Sequence, residues 1–389
     1  MYDFDKLIDR EKTDNVKYDL RETYFGKSDV LPMWVADMDF ETPGFIQEAI
    51  IKRAKHPIYG YSFRSETYFN SIISWIERRH KWKIDKEWIL FSPGIVPALN
   101  MATMTFTKMG DEIIVQPPVY FPFFTAVTNH NRKLTENQLL YENGRYTIDF
   151  DDFEKKAKNA RMFFLSNPHN PVGRLWTADE LQKLGDICLK NDVIIIADEI
   201  HCDLVLPGHT YVPMASISPE ISRNTVTCVA PSKTFNIAGM ATSSVIVEDE
   251  ELRKSFKETI EEIHIGSGNI FGNTASFAAY SHGDQWLDEL LMYINRNFEL
   301  LNEFLKNEIQ QLELVKAEAT YLAWIDFRNT GLSDEVIKEK LLEEAKLGLS
   351  PGHIFGCGGE GFQRMNLATP KSNVVKALER LKAVFGDSY

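Results

Sequence analysis

The chain has 389 residues, 44% hydrophobic and 25% charged. That is enough to bury a large core over two domains, or over one large domain with an appendage, and unlike the composition of a disordered segment. Its 43 lysines and arginines face 56 acidic residues, a net charge of −13, which argues against nucleic acid or an anionic membrane as the main partner. Cys188, Cys202, Cys228 and Cys357 are scattered, so neither a disulfide framework nor a zinc site is expected, and buried thiols are the plain reading.

The N-terminus, MYDFDKLIDREKTDN, alternates charge with apolar residues. It lacks a signal-peptide core, and no window of the chain approaches roughly 18 uninterrupted apolar residues. A soluble, cytoplasmic protein is expected. Residues 1–45 are too few to stand alone and are expected to join a small C-terminal unit. From 46 to 284 a large α/β domain is expected. Apolar runs at WILF (88–91), EIIVQ (112–116), RMFFL (161–165), VIIIA (193–197), TVTCVA (225–230) and SSVIV (243–247) alternate with helical or irregular stretches. Continuous apolarity predicts strands covered on both faces, as in a mostly parallel sheet. Thr177 and Glu180 form a T-x-x-E capping box ahead of Leu181, Leu184 and Cys188 on one helical face. Beyond 285 a long amphipathic stretch (284–312), short strands at TYLAWIDF and FQRMNLA, and helices near 333–347 and 371–385 predict a smaller α+β domain, 285–389.

Ligands of an open parallel sheet collect beyond the carboxyl ends of its strands. After WILF comes Ser92-Pro93-Gly94-Ile95-Val96-Pro97, opening a predicted helix at 97–106; it is either an ordinary turn or a phosphate-holding helix N-terminus. After EIIVQ comes Tyr120, a ring that either stacks on a planar ligand or joins the core. The loop 166–173 has two Asn-Pro steps, whose amides either shape turns or bind a ligand oxygen. VIIIA ends in Asp198, a carboxylate that needs either a structural cation or a cationic ligand. TVTCVA ends in Pro231-Ser232-Lys233. Apolar surroundings lower a lysine's pKa and free a nucleophilic amine suited to Schiff-base formation. An imine-forming lysine, an aspartate facing a cation, a phosphate turn, a stacking ring and amide donors are together what pyridoxal 5'-phosphate (PLP) requires.

SNPHNPVGR (166–174), ADEIHCDLV (197–205) and APSKTFNIAGM (230–240) resemble segments of fold type I PLP-dependent enzymes of the class I/II aminotransferase superfamily. Within it, LPMWVADMDFETP (31–43), IYGYS (58–62) and SPGIVPAL (92–99) resemble the cystathionine β-lyase branch of C–S lyases, a branch that includes a maltose-regulon modulator. The resemblance implies a mostly parallel seven-stranded sheet covered by helices, one strand more than the apolar runs supply. It implies that Lys233 carries the cofactor, that Asp198 pairs with the pyridine nitrogen, and that Tyr120 stacks on the ring, these three being the catalytic residues. Asn170 would bind the phenolic oxygen, with His201 where many relatives carry a tyrosine. The backbone at Ile95 and Val96, with Ser232, would hold the phosphate. Tyr61 would reach the neighbouring subunit's phosphate, implying a homodimer with shared sites. Arg364 would grip the substrate α-carboxylate with two prongs. One departure is Ala241, where many aminotransferases carry a phosphate-clamping arginine; it favours the lyase branch.

Two patterns are set aside. GCGGEG (356–361) has G-x-G-x-x-G spacing without the strand before and helix after that a dinucleotide site needs, and reads as a flexible loop near Arg364. His201, Cys202 and Asp203 are adjacent on an extended segment and point to alternating sides, so no metal is expected. The expected function is β-elimination from cystathionine or a cysteine S-conjugate, giving pyruvate, ammonia and a thiol. An aminotransferase would use every residue named here. A ligand-dependent regulator acting through a protein partner is a reading of another class, though no helix-turn-helix signal supports DNA binding.

Overall fold

Each continuous apolar run lies in a strand of one sheet. The computed structural model describes residues 2–386. Its main sheet comprises β1 (Ile89–Ser92), β2 (Glu112–Val115), β3 (Lys133–Glu136), β4 (Ala160–Ser166), β5 (Ile194–Asp198), β6 (Thr225–Val229) and β7 (Ser243–Val247), in the order β1-β7-β6-β5-β4-β2-β3. All pairs are parallel except those of β7, which runs antiparallel to both neighbours. Residues on each strand alternate between two cores. Phe163, Leu165, Ile195 and Ala197 meet Leu181, Leu184 and Cys188 of helix Ala178–Lys190. Met162, Phe164, Ile194, Ile196 and Val226 meet Leu99 and Ala102 of helix Ile95–Phe106. Two apolar faces explain the lack of polar alternation. The seventh strand, β3, is an edge strand of sequence KLTE with half-exposed or exposed side chains, so no apolar run marked it.

The Thr177 hydroxyl accepts from Glu180 N, and the Glu180 carboxylate accepts from Thr177 N, completing the capping box. Beyond residue 284, helix Asp284–Glu308 and helix Lys371–Phe385 accompany a four-stranded antiparallel sheet in the order Glu313–Leu314, Leu322–Asp326, Phe362–Asn366, Ser350–Pro351. Leu31–Pro32 pairs with Leu347–Gly348. The GCGGEG segment lies between a short turn of helix, Gly352–Phe355, and strand Phe362–Asn366. Rather than a flexible loop it is closely packed, since a Cβ on Gly359 would lie 2.1 Å from the carbonyl oxygen of Gly352. Cys188, Cys202 and Cys228 are buried thiols, while Cys357, in this segment, is only half-buried. No described helix is long and apolar enough to cross a membrane.

The N-terminal stretch is held to the segment 33–42 by charge. Lys17 Nζ, with a side chain only 1% exposed, donates to Asp39 Oδ2 at 2.8 Å, and Arg10 bridges Asp39 (2.8 Å) and Asp37 (2.6 Å). Burial alone would raise the Asp39 carboxyl, but Lys17 and Arg10 together outweigh it and hold it below its usual range. This contribution to stability is present above the unfolded carboxylate value of about 4 and is lost as pH falls through the lower folded value. Lys17→Met should cost about 3 kcal/mol in urea unfolding, the low end for a broken buried pair because Arg10 remains. A change under about 1 kcal/mol, the scale of an exposed pair, would show that the cluster does not hold this segment.

Candidate active site

The chain leaves β6 into a single helical turn, Pro231–Thr234, that carries Lys233. Lys233 Nζ donates to the carbonyl of Ala36 at 2.6 Å. Enclosure by protein lowers its pKa to about 8, against the raising influence of Asp37 and Asp198 and with a lesser lowering by Arg364. The turn is tied down by its next residue, since Thr234 Oγ1 donates to Asp203 Oδ2 at 2.8 Å. Asp203 Oδ1 also accepts from Trp75 Nε1 (2.9 Å) and His80 Nε2 (2.8 Å). Ligand atoms of His80, Cys202 and Asp203 lie within 4.8 Å of one another. With three donors on its carboxylate, Asp203 is a buried anchor for the lysine turn.

Asp198 ends β5 and is buried. Among the described residues its carboxylate accepts one hydrogen bond, from Ile200 N at 3.1 Å, and no cation pairs with it. Burial pushes the carboxyl up to about 7, although Ile200 N–H and the more distant Lys233 work the other way. Such a group fits a ligand N–H cation. His201 is buried with Nδ1 unpartnered; burial, then Lys233 and Arg364, push it down to about 3, so it is a neutral ring. Asn170 Oδ1 accepts from Arg364 Nη1 at 3.1 Å, and the Asn170 carbonyl accepts from Tyr120 N at 3.1 Å. His169, held neutral by burial, bonds through Nε2 to the Pro118 carbonyl at 3.0 Å. The asparagine loop and the Tyr120 turn are thus joined. Burial raises the Tyr120 phenol, with Arg364 and Asp198 both close enough to act on it.

Arg364, in strand Phe362–Asn366, is buried without a carboxylate partner among the described residues. Nη2 donates to the Trp34 carbonyl at 2.9 Å, the guanidinium lies 4.8 Å over the Phe355 ring, and Nε has no acceptor. Burial lowers its pKa to about 10, against Tyr120 and Tyr321. Arg364, Lys233 and Tyr120 line one cavity of ≈ 670 Å³ with Tyr24, Trp34 and Leu341. Helix Ile95–Phe106 starts two residues earlier than its sequence suggests, with Gly94 at the N-cap and no side-chain cap, so the N–H groups of Ile95 and Val96 are open to an anion. Ser232 is half-buried beside Lys233. Ala241 is exposed in a left-handed turn (φ 46°) and supplies no cation. Tyr61 is fully exposed and lines a different hollow, of ≈ 530 Å³. The unpaired Asp198, the orphaned His201 nitrogen, the uncapped helix and the shielded amine fit PLP.

The profile of the family described as Aminotransferase class I and II matches residues 29–381. The chain belongs to this family. It is 44% identical over 382 residues to cystathionine beta-lyase PatB of Bacillus subtilis (strain 168), covering 98% of this chain and 99% of that one. Among solved structures it is similar to cystalysin of Treponema denticola, which contains a pyridoxal 5'-phosphate cofactor (TM-score 0.95, 38% identity, 98% of both chains). It is also similar to a PLP-bound C–S lyase of Staphylococcus hominis (TM-score 0.92, 34% identity, 99% and 98% of the chains). Sequence reasoning missed Ala36, Trp34, Tyr321, His80 and Trp75. The first two act through carbonyls, which every residue has, and the others act across the fold.

In cofactor-free protein, the rate of acylation of Lys233 should rise with pH through a midpoint near 8. A midpoint at the ordinary lysine value of 10.5 would contradict the shielding of this amine.

Proposed function

We propose that the chain is a cytoplasmic, PLP-dependent carbon–sulfur lyase that eliminates a thiol from cystathionine or a cysteine S-conjugate, leaving pyruvate and ammonia. The observation that carries this reading is the convergence on one cavity wall of a shielded amine, Lys233, and a buried guanidinium without a carboxylate, Arg364. When bound, PLP supplies an electron sink for the pair of electrons left at Cα. Asp198 would hold its pyridine N–H cation; Ile95 N–H, Val96 N–H and Ser232 its phosphate; Asn170 and His201 its phenolic oxygen. Tyr120 would stack on the ring. Arg364 binds the substrate α-carboxylate, satisfying its own buried charge and orienting Cα. Lys233, with a pKa near the working pH, takes the α-proton as general base. The cavity lining is mostly apolar, with Tyr24, Phe25, Trp34, Phe121 and Leu341 among a few polar groups such as Lys338 and His353, and favours an apolar thiol as leaving group.

Tyr61 serves a second copy of the chain in this reading. Ile58, Tyr59, Tyr61 and Phe63 form an exposed apolar cluster, which a homodimer would cover. Tyr61 would then reach the phosphate of the neighbouring site, where Ala241 offers no charge. Residues 1–45 join the small domain, 285–389, beside the large domain, 46–284, a division supported by the separate seven-stranded and four-stranded sheets and by the pairing of Leu31–Pro32 with Leu347–Gly348.

Purified protein incubated with S-alkyl cysteines and with cystathionine should release pyruvate and thiol, about tenfold faster in kcat/KM for the apolar conjugates on the scale of one or two buried methylenes. Transfer of the amino group to an added keto acid without thiol release would overturn the lyase reading. Arg364→Ala should raise KM by about 10²-fold, the scale of a lost charged hydrogen-bond pair; an unchanged KM would remove Arg364 from the substrate site.

A further inference from the structure

In the segment that lies against Lys233, four consecutive carbonyls, 34 to 37, each have a donor. Trp34 O accepts from Arg364, and Val35 O and Asp37 O accept from Asn366 Nδ2 at 2.6 Å each. Ala36 O accepts twice, from Lys233 Nζ at 2.6 Å and from the hydroxyl of Tyr321 at 2.9 Å. Tyr321 is wholly buried, one residue before the strand Leu322–Asp326, with its ring edge-on to His201 at 6.2 Å. Its hydroxyl makes no other hydrogen bond among the described residues. Burial raises the phenol far above its ordinary range, so the hydroxyl stays a donor.

A carbonyl oxygen has two lone pairs. With Tyr321 occupying one, Ala36 O keeps a single acceptor direction for the lysine, fixed by a ring that cannot move without disturbing the core. A neutral amine that donates one N–H along that direction has its lone pair restricted to the remaining tetrahedral positions. We propose that Tyr321 is a positioning residue for catalysis: with the Ala36 carbonyl it forms the receiver that holds the Lys233 amine whenever it is not attached to the cofactor, so that the amine stands ready to take the α-proton. This rests on the assignment of Lys233 as the cofactor-bearing base.

Tyr321→Phe keeps the ring and its packing and removes only the hydroxyl. In the cofactor-free variant, the Ala36 oxygen is left wholly to the lysine, which favours the ammonium form. The midpoint for Lys233 acylation should therefore rise by about half a pH unit or more relative to the unmutated protein. In the holoenzyme, visible absorbance of the lysine-bound cofactor should be retained and KM should stay within about twofold. The value of kcat should fall about tenfold, and the isotope effect with α-deuterated substrate should rise as proton transfer becomes slower. An unchanged midpoint together with an unchanged isotope effect would overturn the proposal, as would a loss of thermal stability matched by a rise in KM at constant kcat. The underlying assignment fails separately, if Lys233→Ala retains the visible absorbance of the unmutated holoenzyme.

Discussion

The structure depends on enclosing three ionisable groups, Lys233, Asp198 and Arg364, without pairing them to one another. Burial works against the charged form of each: it lowers Lys233 to about 8 and Arg364 to about 10, and raises Asp198 to about 7. Elsewhere in the chain buried charge is neutralised locally, as where Arg174 meets Glu318 and Glu180. Around the cavity, the hydrogen-bond partners these three groups meet among the described residues are uncharged: backbone carbonyls, a backbone N–H, the Asn170 amide oxygen and the Ser350 hydroxyl. Those contacts hold position without cancelling charge, which leaves each group available to a ligand.

Holding such groups requires a rigid surround. Asp198 ends β5 and Lys233 follows the adjacent strand β6, and every residue of both strands is buried. The lysine turn is anchored from behind by Thr234 on Asp203, itself fixed by Trp75 and His80. The front wall, residues 34–37, comes from the N-terminal part of the chain and is held by Arg364, Asn366, Tyr321 and the Lys17–Asp39–Arg10 cluster. The site therefore closes only when sequence-distant parts of the chain meet. Its catalytic geometry is a tertiary property.

That distinction explains what could be read from the sequence. The strands between 89 and 247 were legible because burial on both faces removes polar residues from a strand. Strand β3 was not, because an edge strand of sequence KLTE carries no such mark. Lys233 and Asp198 were legible as candidates because their chemistry is costly where the pattern puts them, and the Asn170 loop because its amides could face a ligand; Arg364 was legible only through the family resemblance. Ala36 and Trp34 were illegible, because a carbonyl acceptor leaves no trace in residue identity. His80 was illegible for another reason: its partner, Asp203, lies more than a hundred residues away. The glycine run at 356–361 misled in the opposite direction, since its glycines allow close backbone packing rather than motion.

The chemistry of the site requires a covalent link between PLP and one side chain. Borohydride reduction of the purified holoenzyme, followed by peptide mass mapping, should place the reduced pyridoxyl group on Lys233 and on no other lysine. A pyridoxyl group elsewhere, or a colourless active enzyme with Lys233 unmodified, would contradict it.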